Sequence, residues 1–310
     1  MRVATVDIGT NTVLLLVAER SAEGEVHAVA EHATITRLGQ DVDRTRRLLP
    51  DAIARTAACL DEYAQVVQAL DVERVAVVGT SAMRDAGGGD EVRAHVRESL
   101  GVEARVVSGD EEARLTFRGA LSGLPFEGRD RCAVFDLGGG STEVVMGEMD
   151  GRRPQIAFAA SYDVGSVRLT ERCVRHDPLT AEEQAAITHV AAEAFSGVPE
   201  WSAALPPIGV AGTMTTLAAV FLKMHPYDAA LVHGFVMTRE ELRRVVEQLA
   251  RLDVASRRRL PGMEPKRADV VVAGGCIAVA LLDHWGATRV RISDRGVRWG
   301  LAEELLDESQ

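Results

Sequence analysis

Aromatic side chains are scarce, 4% of 310 residues, so any core must be built from Val, Leu and Ala. An excess of positive charge is also missing. Thirty-five basic residues face forty-six acidic ones, giving a formal charge of -11 and a pI near 5.3. That balance disfavours general nucleic-acid binding, which depends on a broad basic surface. It leaves room for an anionic ligand held in a local basic pocket. Lysine is nearly absent, with Lys223 and Lys266 the only two. Genome base composition explains such a bias, as would use of arginine's two-pronged grip on phosphate. The four cysteines, Cys59, Cys132, Cys173 and Cys276, form no CxxC or Cys/His pattern and read as free thiols of a reducing compartment. The eight histidines lack HExxH spacing; His233, before Gly234, is the one singled out. The longest apolar run, Val270 to Leu282, lies between Asp269 and Asp283 and is too short to span a bilayer. Asp7 interrupts the only early apolar stretch, and no secretion signal is visible. A cytoplasmic protein with no membrane or nucleic-acid partner is expected.

What remains is a globular composition, 46% apolar and 26% charged, long enough for two domains. Strand patterns cover Arg2 to Ile8, Thr12 to Ala18 and Glu25 to Glu31. Helical periodicity follows from Asp51 to Leu70, with Ile53, Ala57, Leu60 and Tyr63 on one stripe. A strand at 75–78, the loop 80–85, a helix from Asp90, a strand at 104–107 and a helix opened by Ser108 complete the series. Beyond a loop with Gly123, Pro125 and Gly128 the order restarts: strands at 132–137, 142–146 and 155–161, a helix at 181–195, a strand at 208–210 and a helix at 213–222. Helices at 239–252 and 268–282 and a strand at 289–292 follow. The restart is also one of sequence. Val6-Asp7-Ile8-Gly9-Thr10-Asn11-Thr12 aligns with Phe135-Asp136-Leu137-Gly138-Gly139-Gly140-Ser141, 129 residues later. A βββαβα unit is duplicated. The expected domains are residues 1–124 and 125–310, facing each other across a cleft, with the last helix, 297–310, packing back on the first.

A strand–Asp-x-Gly–strand hairpin suits phosphate. Glycine lets a ligand approach the backbone closely, and successive N–H groups at such a turn make an anion-binding concavity. The hydroxyls of Thr10, Thr12, Ser141 and Thr142 and the amide of Asn11 add donors, while Asp7 and Asp136 supply oxygen for Mg²⁺ or orient water. Either loop alone would pass for an ordinary hairpin. Three successive glycines, however, carry an entropic cost that a structural turn need not incur, and two such loops stand in register within a repeat.

Ser108 and Glu111 form a capping-box pattern. Glu112 then falls on the face shared with Thr116 and Gly119, opposite an apolar stripe of Ala113, Phe117, Ala120 and Leu121. There it either faces the ligand crevice and takes a proton from water, or merely complements the helix dipole. Arg84 either contacts phosphate or pairs with Asp85 or Asp90. Gly212-Thr213, between a strand and a helix, reads as an anion site at a helix N-terminus or as plain capping. Arg257-Arg258-Arg259 reads as a solvated loop, and Gly274-Gly275 as close helix packing.

The segments VDIGTNT (6–12), GTSAMRDA (79–86), SGDEEARLTFRGA (108–120), FDLGGGSTEVV (135–145), AGTMTTLAA (211–219), RADVVVAGG (267–275) and SDRGVRWG (293–300) together resemble the exopolyphosphatase/guanosine pentaphosphate phosphohydrolase (Ppx/GppA) family. The resemblance covers essentially the whole chain. It implies an α/β protein of the actin/Hsp70/sugar-kinase, ribonuclease H-like fold in a short, two-lobed form. It places the catalytic base at Glu112 and the divalent metal, Mg²⁺ or Mn²⁺, at Asp136 and Glu143. Phosphate contacts fall at Asp7, Gly9, Thr10, Asn11, Thr12, Arg84, Gly138, Gly139, Gly140, Ser141, Thr142, Gly212 and Thr213. A homodimer is the family expectation.

The activity implied is release of terminal orthophosphate from inorganic polyphosphate or guanosine pentaphosphate by metal-assisted attack of water. A non-catalytic sensor of polyphosphate or guanosine tetra- or pentaphosphate is the first alternative, distinguished by tight binding without phosphate release. A kinase of the same fold is the second, and it would need an adenosine pocket that Gly274-Gly275 supports only thinly.

Overall fold

A computed structural model describes residues 1–22, 24–125, 130–150, 153–202 and 204–308. Gly128 of the expected boundary loop and residues 309–310 of the expected last helix lie outside them. Contacts divide the chain into two units: Met1–Gly123 with Gly296–Gln310, and Leu124–Arg295.

The first unit runs β1 (Arg2–Ile8), β2 (Thr12–Arg20), β3 (Val26–Ile35), α1 (Val42–Thr45), α2 (Pro50–Ala69), β4 (Arg74–Gly79), α3 (Ser81–Asp85), α4 (Gly89–Leu100), β5 (Ala104–Val106) and α5 (Gly109–Leu121). The second runs β6 (Arg131–Leu137), β7 (Thr142–Asp150), β8 (Arg153–Tyr162), α6 (Ser166–Cys173), α7 (Ala181–Ala194), β9 (Ile208–Val210), α8 (Ala211–Phe221), α9 (Ala229–Val232), β10 (Val236–Thr238), α10 (Arg239–Ala250), α11 (Val254–Arg257), α12 (Val271–His284) and β11 (Arg289–Ile292). The chain then returns to the first unit as α13 (Val297–Asp307).

Sheet order makes the duplication explicit. The first sheet reads β3-β2-β1-β4-β5, and the second reads β8-β7-β6-β9-β11 with β10 added at its edge. In each, an antiparallel meander is extended by parallel strands. Central β1 is buried from Val3 to Ile8, consistent with its nearly continuous apolar sequence, whereas edge strand β3 is largely exposed. Pro50 starts α2, where its missing N–H costs nothing. The buried stripe of α2 is Ala52, Thr56, Cys59, Leu60 and Tyr63; of the expected stripe Leu60 and Tyr63 are buried, whereas Ile53 and Ala57 are only partly covered. Thr56 tolerates burial because its hydroxyl donates to the Ala52 carbonyl at 2.9 Å.

Helix α5 differs from the amphipathic expectation. Glu112, Thr116 and Gly119 are buried as well as the apolar stripe, and α13 packs on α5 at Leu115 and Gly119. A Cβ on Gly119 would overlap the Gly296 carbonyl, and one on Gly300 the Leu115 carbonyl, so two glycines permit backbone contact. Trp299 of α13 packs with Val3, Leu16 and Ala18, and Thr5 Oγ1 donates to the Arg298 carbonyl at 2.8 Å.

The second core centres on α12, where Gly275 admits Val246 and Gly274 admits Thr213 and Ser166; this is close packing. Arg257 corrects the solvated-loop expectation for 257–259. It is 3% exposed and donates to the carbonyls of Leu249 (2.8 Å) and Ala268 (3.0 Å). Among the described residues no helix is long and apolar enough to cross a membrane.

Candidate active site

Candidate residues collect at the C-terminal edge of each sheet's parallel strands, where α/β folds bind ligands. In the first unit, β1 ends at Asp7-Ile8-Gly9, β4 leads into α3 with Arg84, and β5 leads into α5 with Glu112. The expected loop 80–85 is thus a short helix. Arg84 Nη1 donates to Glu112 Oε2 at 2.9 Å and to the Val107 carbonyl at 3.1 Å, and its Nε lies 3.5 Å from Asp85. Glu112, 6% exposed, is therefore oriented by a guanidinium. Neighbouring positive charge suits a carboxylate that must be ionised to accept a proton. The capping box before it is half made. Ser108 Oγ accepts the Glu111 N–H at 3.2 Å, but the Glu111 carboxylate pairs with Arg105 instead.

The hairpin turn closes by Gly9 N–H to the Thr12 carbonyl at 3.0 Å. Its Thr10 carbonyl accepts from Gly39 N–H (2.8 Å), and its Asn11 carbonyl from the N–H groups of Thr36 (3.1 Å) and Arg37 (3.0 Å). Asn11 is 6% exposed, yet neither Nδ2 nor Oδ1 has a hydrogen-bond partner among the described residues. A buried amide with both ends unsatisfied calls for a ligand or ordered water.

In the second unit the matching turn closes by Gly138 N–H to the Ser141 carbonyl, again at 3.0 Å. Asp136 and Glu143 lie directly opposite each other in the β6/β7 ladder. Glu143 is 1% exposed and accepts from Ser161 Oγ at 2.6 Å. Among the described residues no group of three or more His, Cys, Asp or Glu forms a closed metal cage. Two carboxylates suit Mg²⁺, which is commonly bound by one or two of them together with substrate phosphate oxygens. The donor set fits such an ion.

Thr142, expected as a phosphate donor, spends its hydroxyl on the Val164 carbonyl at 2.6 Å and is fully buried. Gly212 and Thr213 stand in the first turn of α8, beside Ala211, which holds a φ of 74° that non-glycine residues seldom adopt. The Arg267 guanidinium occupies the space a Cβ on Gly212 would need. His233 belongs to a local cluster beyond β11, its Nδ1 3.2 Å from Ser293 Oγ and 3.7 Å from Asp294. Arg267 and Arg168 are polar residues at this edge to which sequence reasoning gave no role. Nothing local marks Arg168. Arg267 begins RADVVVAGG, one of the segments that carry the family resemblance.

The Ppx/GppA phosphatase family model matches residues 16–309. Exopolyphosphatase 2 of Mycobacterium tuberculosis is 39% identical, with 98% of each chain covered. The guanosine-5'-triphosphate,3'-diphosphate pyrophosphatase of Photobacterium profundum is 27% identical over 98% of this chain and 59% of its own length. The crystal structure of the Aquifex aeolicus Ppx/GppA family member is 33% identical and superposes with a TM-score of 0.83 over 100% of this chain and 99% of that one. By sequence and by fold, the chain belongs to the Ppx/GppA phosphatase family.

Proposed function

We propose that this protein is a phosphoanhydride hydrolase that releases terminal orthophosphate from inorganic polyphosphate or guanosine pentaphosphate. The observation that carries the reading is the buried Glu112 carboxylate, held by Arg84 at the same sheet edge as the Asp7–Thr12 turn. Glu112 accepts the proton of the attacking water, and Arg84 keeps the carboxylate oriented. Asn11, with its unsatisfied amide, and the hydroxyls of Thr10 and Thr12 bind phosphate oxygens in the first unit. The turn of Gly138, Gly139, Gly140 and Ser141 does so in the second, joined by Gly212 and Thr213 at the start of α8; Thr142 supports that turn instead of donating to substrate. Asp136 and Glu143 would hold Mg²⁺ or Mn²⁺, which when bound neutralises phosphate charge. Catalysis of this kind is mainly positioning and electrostatics.

The direct test is orthophosphate release with Mg²⁺ from short polyphosphate, long polyphosphate and guanosine pentaphosphate, side by side. Release from any of them is expected, and the ranking identifies the substrate. Tight binding of these anions with no release from any would replace the reading with a sensor.

A further inference from the structure

The Gly138–Ser141 turn is held from behind by the first turn of α6. Ser166 N–H and Oγ both donate to the Gly138 carbonyl, at 3.0 and 3.2 Å. Val167 N–H and Arg168 N–H donate to the Gly139 carbonyl, at 2.9 and 3.0 Å. The Gly140 carbonyl receives a side chain instead, Arg168 Nε at 2.6 Å. Arg168 is 7% exposed, and its Nη2 lies 3.6 Å from Asp163. Gly165 completes the fit, since a Cβ there would overlap the Gly139 carbonyl.

Peptide planarity turns these bonds into a direction. A trans peptide points its C=O and the following N–H opposite ways. Tying the carbonyls of Gly138, Gly139 and Gly140 to α6 therefore aims the N–H groups of Gly139, Gly140 and Ser141 away from it. Those three N–H groups donate to no described residue, and together they form an anion-binding concavity. The first two peptide planes are anchored by backbone of α6. The third, among the described residues, is anchored by the Arg168 side chain and not by backbone.

We propose that Arg168 is a positioning residue: its Nε–Gly140 bond holds the last peptide of the turn with its N–H toward phosphate and its carbonyl away. This rests on the phosphate-binding reading of that turn. Losing the tie weakens ground-state and transition-state binding of phosphate alike, so KM rises while kcat holds.

The variants are Arg168→Met, which removes the donor, and Arg168→Lys, which keeps a positive charge and N–H donors on a flexible stem. KM and kcat are measured on polyphosphate, the Kd of tripolyphosphate by calorimetry, and stability by thermal melting. Arg168→Met should raise KM and Kd together by about tenfold or more, the scale of a lost charge-assisted hydrogen bond, with kcat within about threefold. Arg168→Lys should recover most of the loss. Should Arg168→Met fold poorly, Ser166→Ala removes only the 3.2 Å hydroxyl tie to Gly138 and should shift Kd in the same direction by less. Unchanged KM and Kd in a folded Arg168→Met, or a fall in kcat and melting temperature at constant KM, overturns the proposal in favour of a purely structural arginine. A wild-type protein with no affinity for tripolyphosphate overturns the phosphate reading of the turn as well, which separates the two failures.

Discussion

The two hairpins are copies that have diverged in a telling way. Both place Asp before a glycine, Asp7-Ile8-Gly9 and Asp136-Leu137-Gly138, and both close the turn with the same 3.0 Å bond. Both use the segment after the third strand to tie the turn's carbonyls back: two peptides in the first unit, through the backbone of Thr36, Arg37 and Gly39, and three in the second, through α6 and Arg168. The difference is opposite the aspartate. Asp7 faces Leu14 across its ladder, whereas Asp136 faces Glu143. The second copy thus has the carboxylate pair that suits a divalent ion, and the first has Glu112 with its arginine. The duplicated turn is the same in both copies, and a carboxylate stands opposite the aspartate in the second alone of the two.

Removing each copy's acid breaks the division in its own way. Glu112→Gln should lower kcat by about 10²- to 10⁴-fold, the worth of a general base, while tripolyphosphate affinity stays within a few fold. Phosphate release at the wild-type rate would remove Glu112 from the mechanism. Glu143→Gln should leave maximal turnover attainable but raise the Mg²⁺ concentration needed for half activity by at least about tenfold, the scale of losing even an outer metal contact. An unchanged Mg²⁺ titration would mean that the pair is not the metal site. Alanine at the turn glycine sharpens the comparison further. A Cβ on Gly9 would sit 2.9 Å from the Thr12 carbonyl, and one on Gly138 3.2 Å from the Ser141 carbonyl. Gly9→Ala should therefore cost about 1–3 kcal/mol by overpacking, and Gly138→Ala less. Urea melts that rank them the other way would show that the turns are not equivalent.

Much of this was legible in sequence. Central strands such as β1 and β6 are apolar runs ending in Asp-x-Gly, so both their existence and their repetition show at once. Register follows from the tight turn and sets Glu143 opposite Asp136, whereas in sequence Glu143 stands out only through the family resemblance. Helices α3 and α6 were missed because five and eight residues are too few for periodicity to register, and Gly165 offers no side-chain cap before α6. Yet these helices carry Arg84 and Arg168. The contact of Gly119 with α13 was equally hidden, since its small size is explained by a segment distant in sequence. Arg257 looked solvated only because its neighbours are arginines; its carbonyl partners lie on other turns of the chain.

The smallest expected effect concerns helix capping, where the two units again differ. In the first, α5 is capped by the Ser108 hydroxyl, a group that does not titrate in acid. In the second, α7 has a complete box: Glu183 N–H donates to Thr180 Oγ1 at 3.3 Å, and Thr180 N–H donates back to the Glu183 carboxylate at 2.9 Å. That backbone bond, helped by His176 and the Arg175 N–H, holds the Glu183 carboxyl at about 2, well below its ordinary 4.5. The unfolded chain therefore takes up the proton first as pH falls. The cap's contribution is complete above about 4.5 and drains away as pH drops toward about 2. Glu183→Gln keeps a polar side chain at the third helical position but removes the titration. The gap in melting temperature between wild type and this variant should be open at neutral pH and close through that acid window, because protonated Glu183 is nearly the same group as glutamine. A gap independent of pH would show that the carboxylate's charge plays no part in the cap.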